Sequence, residues 1–547
     1  MAKRAHAYPQ ASVAAGDVVD VTVVAAPPAI TVREALGLAR KRDAGVLAVG
    51  ERYVLREDLA RASLLDAGDL PAASVARALP SVDARAGEVA ARRLLLAGAP
   101  CVIVRARTGP VGAVSGRGPA REAHASAAAR VARSVPAETR TLLELIGRTA
   151  GAHGARAFLV GGMVRDVWRG GPVARRDLDV VVEGDGPAVA RRLARELGGT
   201  LREHQRFLTA SLETPAAGRI DVATARAERY ETRGALPRVM PASIDEDLRR
   251  RDFTVNAMAI ELESGAFGLL DPFGGREHLA RGRLSVLHPL SYVEDPTRMF
   301  RAARYAARLG LAPDRATRAA QALALRLVPY PVLSGQRLAA ELGLVLGEAR
   351  PDAVLVKLGA TGVGKLLDPR YRFTEATRRR CGALAATLGW ARARGLDAAP
   401  VELAALVLLA DQPRAVATAA LARLAFAGDP LARLTRCLDD AAALAGRLAA
   451  ATAPSAVARE LRDRAPIELA WLRLAGDPRV GAALDWYLGL DRGLVALTGD
   501  DVVALGVPRG PGVAQVLAEL RDGRLDGRLR NRAIEVEFVR QWTTKGG

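Results

Sequence analysis

At 547 residues, half of them hydrophobic, the chain is long enough for three or more domains with sizeable cores. Its 79 Lys and Arg against 60 Asp and Glu leave a formal charge of +19, which suits a polyanionic partner held through phosphate contacts, although an Arg- and Ala-rich coding bias raises the charge in the same direction. No run is long and apolar enough to span a bilayer, Met1-Ala-Lys-Arg-Ala-His6 lacks the apolar core of a signal peptide, and Cys101, Cys381 and Cys437 lie far apart without metal spacing, so a cytoplasmic protein with packed thiols and no membrane partner is expected.

From about Val18 to Arg117 the chain carries a weak internal repeat. Ile30-Thr-Val-Arg-Glu-Ala-Leu36 leads into a helix, then Gly45-Val-Leu-Ala-Val49, a turn, and Tyr53-Val-Leu-Arg-Glu-Asp-Leu59. The second copy runs from Pro80 through a helix to Ala99-Pro-Cys-Val-Ile-Val-Arg105, a turn, and Gly109-Pro-Val-Gly-Ala-Val-Ser115. This order resembles a tandem pair of CBS (cystathionine-β-synthase-type) domains. The resemblance implies either a structural pair or a sensor of an adenosine ligand. Gly116 to Ala137, rich in Ala, Gly, Arg and Ser, reads as a linker.

Thr139 to Gly151 reads as a helix. Ala155 to Val160 is a buried strand, broken by Gly161-Gly162, and Met163 to Arg169 is a short helix. A strand feeding a glycine turn and a helix N-terminus presents free backbone N–H groups, which suit phosphate; Arg165 adds a charged fork to the same anion. Asp177-Leu-Asp179 then opens the apolar run Val180 to Val182. Residues i and i+2 of a strand share a face, so Asp177 and Asp179 offer two carboxylates side by side, a donor set for one or two Mg²⁺ ions. Gly161-Gly-Met-Val-Arg-Asp166 with Asp177-Leu-Asp179 resembles the first motif of the class II (bacterial-type) tRNA nucleotidyltransferase and poly(A) polymerase family.

Gly186 to Leu197 is helical and ends on Gly198-Gly199. Thr200 to Glu213 alternates like a strand, as does Arg219 to Thr224. Asp221 on the latter is a candidate third catalytic carboxylate or the partner of an Arg at the strand end. Ser243-Ile-Asp-Glu246 is a capping box opening a helix that runs into Asp247-Leu-Arg-Arg-Arg-Asp-Phe-Thr-Val-Asn-Ala257. That string resembles the family's second motif, which implies that Arg251 and Asp252 contact the incoming nucleotide and that Asn256 holds the motif in shape. Leu269-Leu-Asp-Pro-Phe-Gly-Gly275 resembles the third motif, a structural turn.

Glu294-Asp-Pro-Thr-Arg-Met-Phe-Arg-Ala-Ala-Arg304 starts a helix at Asp295-Pro296, with residues 295, 298, 301 and 304 expected on one face. It resembles the motif in which the family's side chains act as a base template, which places Asp295, Arg298, Arg301 and Arg304 at the nucleotide. Cytosine and adenine each set an exocyclic amine beside a ring-nitrogen acceptor. Asp295 can accept from the amine and Arg298 can donate to the ring nitrogen. Uracil and guanine would set a carbonyl against the carboxylate, and such an unpaired group can reject an analogue by roughly 10⁴-fold. Taken for itself, Asp295 could equally cap the helix.

From Ala312 onward the chain reads as helices separated by Pro and Gly turns, and no histidine follows His288. The expected architecture is an α+β nucleotidyltransferase palm on a small mixed β-sheet, an all-α C-terminal RNA-binding body and an N-terminal α/β CBS-like pair. The boundaries are 1–117 for the pair, 118–138 for the linker, 139–285 for the palm, 286–350 for template and neck helices and 351–547 for the body. The family resemblance implies Mg²⁺-dependent transfer of nucleotides from CTP or ATP to the 3′ end of tRNA with release of pyrophosphate. The alternatives are a poly(A) polymerase or a catalytically silent RNA- and nucleotide-binding protein.

Overall fold

The computed structural model describes residues 14–115, 124–170, 177–215, 218–263, 267–475, 478–490 and 494–544. The N-terminal segment before residue 14, the first part of the expected linker and Arg176 lie outside them. The chain divides into two compact units, Met1–Leu333 and Ser334–Gly547.

In the first unit, residues 14–115 build the same small motif twice. Val23–Ala26 pairs parallel with Val46–Val49, which pairs antiparallel with Arg52–Leu55. Ser81–Asp83, Cys101–Ala106 and Gly109–Ser115 repeat that order. A helix follows the first strand of each copy, Val32–Lys41 and Glu88–Leu96. The first is set by a complete capping box between Thr31 and Glu34. The copies share a core, in which Val46, Tyr53 and Leu55 meet Cys101, Ile103 and Ala113. All three cysteines are buried and unpaired. Burial pushes the Cys101 and Cys437 thiols up to about 12 and Cys381 to about 11, the behaviour of packed, inert thiols.

The second part of the unit is a seven-stranded mixed sheet. Its order is Leu269–Leu270, Ala259–Glu261, Arg156–Val160, Leu178–Glu183, Gly218–Thr224, Thr209–Thr214 and Thr200–His204. Leu178–Glu183 and Gly218–Thr224 run parallel, and the other neighbours antiparallel. Both faces are covered. Leu178, Val180, Val182, Ile220 and Val222 face the larger core. Phe158, Val160 and Val181 point the other way, onto Ile244 and Leu248. This is the α+β palm expected from the sequence.

Three local expectations need correction. Thr200 to Glu213 is a hairpin rather than one strand: Gln205–Phe207 forms a 3₁₀ turn and Leu208 takes a left-handed φ of 53°. The helix opened by the Ser243–Glu246 capping box stops at Arg249, and Thr254–Asn256 is a separate 3₁₀ turn. Within the expected linker, His124–Ser134 is a helix whose Ala127 and Val131, with Val135 just past its end, are buried in the larger core beside Leu143 and Ile146. Alanine-rich composition signals a good helix former as readily as a linker, and apolar spacing decides between them.

The elements of the second unit are helices among the described residues, and proline opens several of them, among them Pro351–Ala360, Pro400–Leu409, Pro454–Leu461 and Pro511–Leu525. Asp411 ties the start of Glu375–Ala393 by accepting from Thr374 Oγ1 at 2.5 Å and Thr377 Oγ1 at 3.0 Å and pairing with Arg380 at 2.8 Å. Near its end, the buried Glu535 carboxylate accepts from the backbone N–H groups of Ala496 and Leu497 and pairs with Arg524. Among the described residues no helix is long and apolar enough to cross a membrane.

The helix before residue 137 gives a direct test. A fragment starting at Ala137 uncovers the surface that Ala127, Val131 and Val135 fill, at a cost of about 4 kcal/mol of apolar burial. Its melting temperature is expected to fall clearly below that of a fragment starting at residue 118, measured by thermal unfolding of both.

Candidate active site

The alternation of Leu178, Val180 and Val182 into the larger core forces Asp179 onto the opposite face of the sheet, and Asp177 stands directly ahead of the strand. The parallel register then sets Asp221 beside Asp179 as its direct strand partner. Asp221 also accepts from Ser211 Oγ at 2.5 Å and pairs with Arg219 at 3.0 Å. Asp221 is therefore both the partner of an arginine at the strand end, the second reading of it, and the strand neighbour of Asp179. Loss of hydration raises the Asp179 pKa, Arg251 opposes the shift, and the charges of Asp221 and Asp177 add to it. A carboxylate whose proton affinity is raised by neighbouring negative charge is relieved by a hard divalent cation. Carboxylate oxygens are the donor type a hard divalent cation takes, and among the described residues no three His, Cys, Asp or Glu side chains stand close enough to enclose an ion.

Gly161 closes the cluster. Its φ is +74°, and a Cβ there would lie 3.0 Å from Asp179 Oδ2. Only glycine brings the turn and the helix Gly162–Arg169 this close to the carboxylate. Gly162 begins that helix, so its N-terminus opens beside Asp179, the arrangement the sequence suggests for a phosphate.

Behind this surface runs a buried chain of polar contacts. Arg165 is 4% exposed and donates to Asn256 Oδ1 at 2.9 Å and to Asp166 at 3.1 Å. Asn256 Nδ2 donates to Asp252 at 3.1 Å, and Asp252 accepts from Arg301 Nε at 2.7 Å. Burial works against the Asp252 charge, but Arg301 and Asn256 hold its pKa below the ordinary value. Arg165 and Asp252, both expected at the nucleotide, are engaged in this buried chain. Asn256 joins them, the shape-holding role expected of it. Arg251 pairs with the buried Asp247 at 2.8 Å and keeps its charge directed at Asp179.

The helix of the expected template starts at Arg298, not at Asp295. Asp295 has an extended backbone, and its carboxylate accepts from Thr297 N at 3.0 Å and Thr297 Oγ1 at 2.6 Å. Asp295 therefore lies ahead of the helix face that carries Arg298, Arg301 and Arg304. Arg298 is buried, with its guanidinium donating to Ser291 Oγ at 2.8 Å and the Arg250 carbonyl at 2.9 Å. Burial opposes its charge, yet Tyr230, Glu294, Asp295 and Asp252 hold its pKa above the ordinary arginine value. Asp295 and Arg298 are thus electrostatically coupled. Arg301 and Arg304 are half-buried on the same helix.

Glu294 and Arg250 stand inside the quoted motifs without a role of their own, and Tyr230 stands outside them. Glu294 is buried and accepts from His288 Nε2 at 3.2 Å and Arg61 Nε at 2.9 Å. Burial alone would raise its pKa, but His288, Arg61 and Arg298 bring it down to about 2. Its position directly before Asp295 was the one signal in the sequence. His288 and Arg298 lie within six residues of it, but Arg61 comes from a distant segment and left no signal.

A mixed sheet carrying paired carboxylates beside a glycine turn defines a nucleotidyltransferase-type palm. The family model described as the poly A polymerase head domain matches residues 157–285. The chain is 35% identical over 413 residues to the CC-adding tRNA nucleotidyltransferase of Deinococcus radiodurans, covering 74% of this chain and 94% of that protein. It is 32% identical over 427 residues to the A-adding tRNA nucleotidyltransferase of Geobacter sulfurreducens, covering 74% of this chain but 47% of that one. A solved CCA-adding enzyme in an apo form superposes with a TM-score of 0.67 at 27% identity, over 77% of this chain and 98% of its own. The Thermotoga maritima CCA-adding enzyme complexed with tRNA gives 0.63 at 26%, over 77% and 99%. The chain belongs to the class II CCA-adding tRNA nucleotidyltransferase and poly(A) polymerase family. It spans about half the length of the A-adding relatives from Geobacter sulfurreducens and Halalkalibacterium halodurans.

The depressed Glu294 pKa carries a pH test. A carboxylate whose folded pKa is lowered contributes stability above its unfolded value and loses it as pH falls through the folded one. Glu294→Gln is expected to lower the melting temperature near neutral pH, with the gap from wild type narrowing as pH falls from 4.5 to about 2. Thermal unfolding followed by circular dichroism across that range checks it.

Proposed function

We propose that the protein transfers nucleotides from CTP or ATP to the 3′ end of tRNA, completing all or part of a CCA end and releasing pyrophosphate. The observation that carries this reading is the in-register pair Asp179 and Asp221 beside the Gly161 turn, with Asp177 just ahead of the strand and its charge acting on Asp179. The names of the relatives, CC-adding and A-adding tRNA nucleotidyltransferases, support the substrate class.

Asp177 and Asp179 would hold Mg²⁺, with Asp221 beside them; when bound, the metal lowers the pKa of the attacking 3′-hydroxyl and neutralises charge on the leaving pyrophosphate. The residues of the chain do the rest. The N-terminus of Gly162–Arg169 and Arg251 set positive charge where the triphosphate lies. The Arg165–Asn256–Asp252–Arg301 chain keeps the glycine turn, the second motif and the template helix in fixed relation. Asp295 and Arg298 read the base edge, accepting from the exocyclic amine and donating to the ring nitrogen. The helical second unit is the RNA-binding body of this reading. The N-terminal lobe is read as a CBS-like pair on the strength of its repeated strand–helix–hairpin order, with an adenosine ligand as its candidate small molecule. The protein works in the cytoplasm, where its thiols stay reduced.

Two experiments test the proposal. Asp177→Ala or Asp179→Ala is expected to reduce nucleotide addition by roughly 10³-fold or more while tRNA binding stays close to wild type. Near-normal turnover of either variant with Mg²⁺ would show that these carboxylates do not hold the metal. In the second, tRNA transcripts ending before CCA, after C and after CC are given CTP and ATP separately and together. Addition of one to three nucleotides followed by a stop is expected. Long A tracts on unrelated RNA, with no extension of truncated tRNA, would favour a poly(A) polymerase instead.

A further inference from the structure

The N-terminal lobe meets the catalytic lobe through a compact group of charges. Arg61, on the helix Arg56–Leu64, sets its Nε 2.9 Å from Oε1 of Glu294 and its Nη1 3.7 Å from the buried Asp58. Asp58 also pairs with Arg77, whose Nη1 reaches the Leu287 carbonyl at 3.5 Å. On its other side Glu294 meets His288 Nε2 at 3.2 Å, and its Oε2 lies 3.8 Å from Nη1 of Arg298. Glu294 is also fixed through its backbone, where its carbonyl accepts from Gly234 N at 3.1 Å. One carboxylate thus stands between an arginine of the N-terminal lobe and the arginine expected to read the base.

We infer that Arg61 is a positioning residue for base selection: by occupying Oε1 of Glu294 it keeps that carboxylate from drawing Arg298 out of place. The inference rests on the nucleotide-addition reading above. A buried carboxylate that loses a charged partner has to find another, because an uncompensated buried charge is strongly unfavourable. With Arg61 absent, the nearest arginine is Arg298. Its guanidinium donates to Ser291 and the Arg250 carbonyl, and a shift towards Glu294 weakens both bonds. Asp295 is the next residue in the chain, so the same shift disturbs both halves of the template. Hydrogen-bond discrimination between bases depends on donors and acceptors held within a fraction of an ångström. A small displacement therefore affects the choice of base more than the chemistry of transfer. The N-terminal lobe contributes to catalysis in this way without touching the nucleotide.

The test compares full-length wild type, Arg61→Gln and Arg61→Lys on one truncated tRNA, at a temperature well below the melting point of each. The readout is kcat/KM for the nucleotide that is added against kcat/KM for UTP and GTP. Arg61→Gln is expected to lose roughly tenfold in this ratio, the scale of one charge-assisted hydrogen bond. Arg61→Lys, which keeps the charge, is expected to restore most of it. A ratio unchanged in Arg61→Gln, or an equal loss for every nucleotide that follows a fall in melting temperature, would overturn the inference and leave Arg61 as a stabilising contact only. Wild type that adds no nucleotide at all would overturn the nucleotide-addition reading and this inference with it. An active wild type with an unaffected Arg61→Gln overturns the inference alone.

Discussion

The site depends on the pairing of charges that are buried behind it. Arg165 and Asp252 are each about nineteen-twentieths removed from solvent, and a charge so placed persists only if it is paired and fully hydrogen-bonded. Asn256 meets that demand from both sides, accepting from Arg165 and donating to Asp252, and Arg301 completes the chain. The glycine-turn helix, the second motif and the template helix are far apart in sequence, and this chain makes them one rigid support. Tyr305, whose ring lies 5.8 Å from the guanidinium carbon of both Arg165 and Arg301, adds cation–π contacts to the same support.

With the support fixed, the exposed chemistry is left to a few groups at the sheet surface. Two cores, one on each face, decide where those groups point. Valines at alternate positions of Leu178–Glu183 fill the larger core, so Asp179 is directed to the other face, under the helix Ile244–Arg249. That helix ends where Arg250 and Arg251 are needed. Asp247, fully buried, binds both, and their charges lower its pKa although burial acts the other way. One carboxylate with no access to solvent thereby aims Arg251 at Asp179 and holds Arg250 so that its carbonyl can accept from Arg298.

Much of this was legible in the chain. The glycine break after an apolar strand, the i and i+2 aspartates and the Ser243–Glu246 capping box each act within a few residues, so residue order alone reveals them. The repeat over residues 14–115 and the helical second unit follow from periodicity in the same way. Legibility failed where two local signals compete. The Ala-rich stretch before residue 137 has the composition of a linker and the spacing of a helix, and burial of Ala127, Val131 and Val135 settled the matter. At Asp295-Pro296, a good helix start by residue type, Thr297 draws the carboxylate back and the helix begins three residues later.

The sequence by itself determined the strands, the glycine turn, the facing carboxylates and the family motifs, because alternation, capping and backbone restriction are properties of neighbouring residues. Only the tertiary structure decided that Asp221 stands in register with Asp179, that Arg165 turns inward to Asn256, and that Glu294 is shared between Arg61 and His288. The physical reason is that register and burial are set by the packing of remote segments. The partner of a buried charge is whichever opposite group the completed fold brings within hydrogen-bonding reach, and nothing in the residues beside it names that group in advance.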